Sequence, residues 1–315
     1  MEKVLIGQTD IEVARFNLGG NVFGWTLDEA KSFELLDAYI DAGFDFIDTA
    51  DMYSHWANGG IGGQSETIIG KWLKARGGRD KIVVATKVGG PTGTNAIDVS
   101  RKHILASVDK SLSRLQTDYI DLYYTHYDDE KTPIEETLAA YDELIRAGKV
   151  RHIGASNISP ERLRDSLKIA QENNLPKYQA LQPLYNLVER KGYETDYAPI
   201  VAEHGLTVFP YYALAAGFLS GKYRSEEDFN KSPRGQGAAN YLNERGLGVL
   251  SAIDEVAKKH SVVPATVALA WLSAQPNIGG PIASATSKEQ LKEILSSTSL
   301  QLDRADQELL DKASK

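Results

Sequence analysis

Short apolar runs alternate along the chain with longer stretches in which apolar positions return every third or fourth residue. The short runs read as buried strands and the longer stretches as amphipathic helices. Strands are predicted at 44–47 (FDFI), 82–85 (IVVA), 119–124 (YIDLYY), 150–154 (VRHIG), 178–182 (YQALQ), 206–209 (LTVF) and 278–283 (IGGPIA), and FNLGG at 16–20 supplies one more, placed first. Ile104, Val108, Leu112 and Leu115 share one helical face, as do Ile134, Leu138, Tyr141 and Leu144. Ser159-Pro160 opens another helix, with serine as the cap and proline in the first turn. Further helices are expected near 28–42, 65–75, 244–260, 264–274, 287–297 and 303–314. Residues 2–6 and 10–14 flank Gly7 to Thr9 as a small hairpin.

Strands that alternate with helices favour a parallel sheet. No Pro/Gly/Ser-rich linker splits the chain, so one domain is expected over residues 1–315. The predicted fold class is α/β: a single (β/α)8 TIM barrel with an N-terminal β-hairpin and a long seventh βα loop. That loop, 222–246, is polar and glycine-rich and is read as mobile. A doubly wound dinucleotide fold would need G-x-G-x-x-G after its first strand. GGNVFG at 19–24 has Asn21 where the second glycine belongs, and GGIGGQ at 59–64 follows no strand.

Composition narrows the function. The absence of cysteine excludes disulfides, thiolate metal sites and cysteine nucleophiles. A net charge of −8 without any Lys/Arg-rich block argues against nucleic acid. The opening MEKVLIGQTD carries charges where a signal peptide needs an apolar core, and the uncharged stretch near 205–221 is broken by Pro210 and Gly217. No membrane partner and a cytoplasmic location are therefore expected. No H-x-H or carboxylate cluster suggests a metal. His103, His204 and His260 read as solvated, and His152 as an ordinary strand side chain.

The apolar run ending at Ile47 stops at a carboxylate, Asp48, and similar punctuation recurs. Lys87 ends the third strand, His126 the fourth, Ser156-Asn157 the fifth, Gln182 the sixth and Tyr211 the seventh. The intervals are those of successive βα units, roughly 30 residues each. In a barrel all these ends surround one mouth, where barrel active sites are built. Asp48 and Lys87 can pair at its floor. Tyr53 beside Lys87 is a candidate proton donor, because a nearby ammonium lowers a phenol's pKa. His126 could hold a carbonyl oxygen. Asn157 and Gln182 offer amides for a carboxamide, and Tyr211 a face for a flat ring, a combination that describes nicotinamide. Trp25, His55 and Trp56 are placed at the substrate mouth beside Tyr53 and His126.

In order along the chain, LGGNVFG, FDFIDTADMYS, GGQSETIIG, VVATKVG, YIDLYYTH, GKVRHIGASN, LQPLYN, GFLSGKY and PIASATSKEQLKE resemble an aldo-keto reductase from about residue 3 to 310. The resemblance implies a catalytic tetrad at Asp48, Tyr53, Lys87 and His126, and NAD(P)H lying extended across the mouth. Ser156, Asn157 and Gln182 would hold its carboxamide and Tyr211 would stack on the ring. Backbone at Gly217, Leu219 and Gly221, with Ser220 and Lys222, would wrap the pyrophosphate. Loop 222–246 would close over it. Gly20, Asn21, Val22, Tyr212, Ala213 and Leu214 complete the implied cofactor contacts. The stretch Ser284, Thr286, Ser287, Lys288, Gln290 and Glu293 would face the adenosine end. Its hydroxyls and single lysine favour NADPH, with NADH as the alternative. The implied reaction is reduction of a small carbonyl compound. Two other readings stand beside it: a cofactor-binding channel subunit of the same fold, and a lyase using Lys87 as a Schiff base. The oligomeric state is open.

Overall fold

The computed structural model describes residues 2–57, 59–92 and 96–315. Strands β1 (Lys3–Leu5) and β2 (Glu12–Ala14) pair antiparallel, with Leu5 opposite Glu12. The remaining strands are β3 (Asn17–Gly19), β4 (Phe46–Asp48), β5 (Val83–Val88), β6 (Ile120–Thr125), β7 (Val150–Ser156), β8 (Ala180–Gln182), β9 (Thr207–Val208) and β10 (Ile282–Ala283). These eight are parallel, in the order β10-β3-β4-β5-β6-β7-β8-β9. The curled sheet meets itself where Val208 pairs with Ile278, Gly279 N–H donates to the Val208 carbonyl at 2.9 Å, and Ile282 N–H donates to the Pro210 carbonyl at 3.0 Å. This is the (β/α)8 fold, preceded by the hairpin.

Side chains alternate across each strand, so residues two apart share a face. Phe46, Ala85, Leu122, Tyr124, Ala180 and Phe209 form the inner cluster, closed from below by Ile6, Ile11 and Val13 of the hairpin. Ile47, Val84, Tyr123 and Leu181 belong to the outer cluster, packed under the helices. Gly154 makes the interior possible: a Cβ there would sit 2.4 Å from the Tyr124 ring. The polar residues at the strand ends follow the same alternation. Asp48 comes two after Phe46, Lys87 two after Ala85, His126 two after Tyr124 and Gln182 two after Ala180. They are the next inward layer, above the apolar one.

The helices are α1 (Glu29–Asp41), α2 (Gln64–Arg76), α3 (Arg101–Leu115), α4 (Ile134–Arg146), α5 (Pro160–Glu172), α6 (Ala198–His204), α7 (Gly235–Ala238), α8 (Glu244–His260), α9 (Pro264–Ser273), α10 (Lys288–Leu295) and α11 (Arg304–Ser314). Ser159 caps α5 by accepting from Arg162 N–H at 3.2 Å, as the Ser-Pro pair implies. Asn243 caps α8, and Asp303 caps α11 in a capping box with Asp306. None of the helices among the described residues is long and apolar enough to cross a membrane.

One local expectation is corrected, and one helical element was not predicted. The strand at 278–283 shrinks to Ile282–Ala283 because Gly279 and Gly280 serve as close-packing points; a Cβ on Gly279 would lie 2.7 Å from the Phe209 ring. Residues 193–204 form a helical turn of π type at Tyr193–Tyr197 and then α6, where no helix was predicted. Segment 222–246 carries short turns at Glu226–Lys231, Gly235–Ala238 and Ala239–Tyr241, and it buries Tyr223.

Gly70 fixes how α2 lies against the end of α3, since a Cβ there would meet the Arg114 carbonyl oxygen at 2.0 Å. That partner is backbone and cannot rotate away. Gly70→Ala is expected to lower stability by about 1–3 kcal/mol, the usual cost of overpacking, read as a drop in the urea unfolding midpoint.

Candidate active site

At the C-terminal ends of β4 and β5, Lys87 Nζ donates to Asp48 Oδ2 at 2.5 Å and to the Thr49 carbonyl at 2.8 Å. It also contacts Tyr53 Oη at 2.9 Å. Tyr53 Oη donates to Asp48 Oδ2 at 3.2 Å, and Gln182 Nε2 donates to Asp48 Oδ1 at 2.9 Å. Lys87 and Asp48 are fully buried. A buried ion pair survives only when its remaining polar atoms are satisfied, and here Thr49, Tyr53 and Gln182 satisfy them. Three strand ends separated along the chain, those of β4, β5 and β8, thus meet at one mouth.

The electrostatics differ from the sequence-based expectation in one respect. Burial, with the Asp48 carboxylate next, holds the Tyr53 phenol well above its ordinary value of 10.0. The net shift is therefore upward, not downward, and the phenol is protonated at neutral pH. Burial pushes Lys87 down from its ordinary value, opposed by Asp48. Burial and the Lys87 charge push His126 well below 6.5, so its imidazole is neutral. His126 Nδ1 is buried without a hydrogen-bond partner, and the ring lies 6.0 Å from that of Tyr53, nearly edge-on.

Around the rim, Asn157 adopts a left-handed φ of 44°, which turns its side chain back. Its Nδ2 donates to the His126 carbonyl at 2.8 Å and to Ser156 Oγ at 3.0 Å, and its Oδ1 accepts from Tyr211 Oη at 3.1 Å. Asn21 Oδ1 accepts from Ser284 Oγ at 2.7 Å. Trp25 and Trp56 meet edge-to-face at 5.6 Å, and Trp56 lies 6.3 Å from Tyr53 and 5.1 Å from His55. An aromatic wall therefore stands beside the phenol.

Other expected contact residues are spread more widely. Tyr212, Ala215, Ala216, Gly217 and Gly221 all have positive φ, a density of strained backbone typical of ligand clamps. The N–H groups of Gly217 and Leu219 donate to the Leu214 carbonyl and that of Gly221 to the Phe218 carbonyl, so these three are engaged within the turn. Ser220 Oγ donates to the Gly217 carbonyl at 2.6 Å. Lys222 Nζ lies 5.0 Å over the Tyr223 ring. Thr286 gives both its N–H and its hydroxyl to Gln290 Oε1 at 3.0 Å, and Lys288 faces Glu34 at 3.6 Å. Gly20 permits the close pass of chain at the first strand end; a Cβ would lie 2.9 Å from the Asp48 carbonyl oxygen. Val22, Ala213 and Leu214 are buried or half-buried beside these turns, and Glu293 is exposed on α10.

Sequence reasoning missed Arg234. It reaches from the long loop across the mouth, donates to Asn21 Oδ1 at 3.1 Å and stacks 5.5 Å over the Trp25 ring. Its only signal was a single arginine in a segment read as mobile. The histidines read as solvated, His103, His204 and His260, are all half-buried, and His260 Nε2 lies 2.7 Å from Asp306 Oδ2. His152 pairs with Asp10 at 3.0 Å, below the barrel. No group of three or more His, Asp or Glu among the described residues is placed to hold a metal ion.

A (β/α)8 barrel with a buried Lys-Asp pair and a phenol at its C-terminal mouth defines a class of oxidoreductases. Comparison with known proteins is specific: a profile of the Aldo/keto reductase family matches residues 15–315. The chain belongs to this family, whose members use nicotinamide cofactors and act on small carbonyl compounds. It is 34% identical over 312 residues to the uncharacterized oxidoreductase YrpG of Bacillus subtilis, covering 96% of this chain and 93% of that one. It is also 34% identical to the aldo-keto reductase YhdN of Bacillus subtilis, covering 98% and 92% of the two chains. A probable voltage-gated potassium channel subunit beta of Arabidopsis thaliana is 32% identical, covering 91% and 88%.

Proposed function

We propose that the chain is a single-domain, NADPH-preferring reductase that converts an aldehyde or ketone to the alcohol, with Tyr53 as the general acid. The observation that carries this reading is the Tyr53 Oη–Lys87 Nζ contact of 2.9 Å, backed by the 2.5 Å Lys87–Asp48 pair. The strained turns at 212–221, the Lys222 cation and the Tyr211 face are a rim on which an extended dinucleotide fits. When bound, the reduced nicotinamide supplies the hydride that the carbonyl carbon accepts. Tyr53 supplies the proton that the carbonyl oxygen needs, so carbonyl, hydride and proton balance as alcohol. Its high pKa keeps that proton in place until an alkoxide begins to form. Lys87 then stabilises the phenolate left behind, and Asp48 keeps Lys87 charged despite burial. Neutral His126 can donate a hydrogen bond to the same oxygen without adding charge. Trp25, His55 and Trp56 would shape the space above it. Ser156, Asn157 and Gln182 would position the carboxamide, and Arg234 would close the mouth from the loop.

A panel of aldehydes and ketones with each reduced cofactor, followed by nicotinamide absorbance, tests the activity. NADPH is expected to show the lower KM, because the hydroxyls of Ser284 and Thr286 and the Lys288 cation suit a phosphate. A lower KM for NADH would reverse that preference.

A second reading is favoured by the relative named as a probable channel subunit: this chain could also bind a partner while holding the cofactor. Co-purification with a candidate channel domain would reveal it. The lyase reading is disfavoured, because the three oxygens around Lys87 Nζ leave no free amine for a Schiff base.

A further inference from the structure

The loop carrying Tyr53, His55 and Trp56 has a second face. Behind it, against the segment after β5 and helix α3, lies a cavity of about 460 Å³. None of Asp48, Tyr53, Lys87 or His126 lines it. Its walls include Asp51, Gly62, His103, Ser107, Lys110 and Arg114. Lys110 is exposed and makes no ion pair with a described residue. Arg114 gives Nε to Glu66 at 2.6 Å and Nη2 to Ser111 Oγ at 3.3 Å, and no described residue engages its Nη1. Ser107 Oγ lies 3.2 Å from His103 Nε2. Asp51 Oδ1 is buried without a partner. Burial and then the Glu66 carboxylate push Asp51 up to about 8, so at neutral pH it is an O–H donor rather than a repelling charge.

We propose that this cavity is a second ligand site, which binds the phosphate group of a small metabolite between Lys110, Arg114, Ser107 and the Asp51 carboxyl. Ser107, Lys110 and Arg114 on helix α3 and the Asp51 carboxyl on the loop after β4 bring donors from two elements, and a guanidinium with an ammonium supplies the charge that a phosphate requires. The volume admits more than the phosphate itself. The walls lie against the active-site chain. A Cβ on Gly62 would sit 2.5 Å from the Asp51 carbonyl oxygen, and one on Gly90 would sit 2.4 Å from Met52 Sδ and 3.0 Å from His126 Nδ1. An occupant would therefore rest directly behind the segment that leads into Tyr53.

Titration calorimetry of the full chain with inorganic phosphate, at neutral pH and constant ionic strength, tests this. One saturable site is expected in the unaltered protein. Lys110→Ala should weaken it about tenfold, the loss of one charge-assisted contact. Lys110→Arg should restore most of the affinity. Lys222→Ala, at the barrel mouth, should leave it unchanged. Lys110 is exposed, so its variants are expected to fold normally. Absence of saturable binding, equal affinity in Lys110→Ala, or loss in Lys222→Ala instead would overturn the proposal.

Discussion

Tyr53→Phe is expected to reduce the turnover number for carbonyl reduction by about 10²–10⁴-fold, the usual worth of a positioned general acid. The substitution removes one oxygen that contacts Lys87 and Asp48 and leaves the ring that packs near Trp56 and His126. Cofactor affinity should change little, because the turns at 212–221 and the rim residues Asn157 and Tyr211 are untouched. Steady-state kinetics with a titration of cofactor fluorescence separates the two effects. Retention of normal turnover would remove Tyr53 from the mechanism. A large loss of cofactor affinity would show that the hydroxyl organises the rim instead.

The largest effect on folding is expected from Lys87→Met. Lys87 and Asp48 are both fully buried, and the lysine is the only cation in contact with that carboxylate among the described residues. Removing it leaves a charge in the barrel interior held by Gln182 and Tyr53 alone. Stability should fall by about 3–5 kcal/mol, the range for breaking a buried pair from one side. The double variant Lys87→Met/Asp48→Asn should recover much of that loss, since no uncompensated charge remains. Both are read from urea midpoints. If the single variant matches the unaltered protein, the pair is not what holds this layer. If the double variant is no more stable than the single one, the loss comes from packing rather than charge.

Much of this architecture was legible from side-chain periodicity. The helix expected at 244–260 is found as Glu244–His260, and the cap at Ser159 follows from short-range chemistry that a sequence displays directly. The strand ends were legible for a related reason. A polar residue two positions after a buried apolar one, repeated at βα intervals, marks a second inward layer. The misreadings share a cause in long-range packing. Nothing local announces that Gly279 must make room for Phe209, or that Tyr223 will be buried beneath a polar loop. Arg234 was invisible because its partners, Asn21 and Trp25, lie more than 200 positions away in the chain. The direction of the Tyr53 shift was misjudged because sequence showed the neighbouring cation but not the depth of burial or the carboxylate bonded to the same hydroxyl.

The seam of the sheet lies between its shortest strands, β9 and β10, with two residues each, and residues near 280 complete it. A ribosome therefore delivers every other strand before the ring can shut. Until then the nascent polypeptide must carry two open edges, at Asn17–Gly19 and Thr207–Val208, which invite pairing with foreign strands. Their brevity limits that danger during synthesis, at the expense of a joint that is also the natural place for the finished ring to come apart.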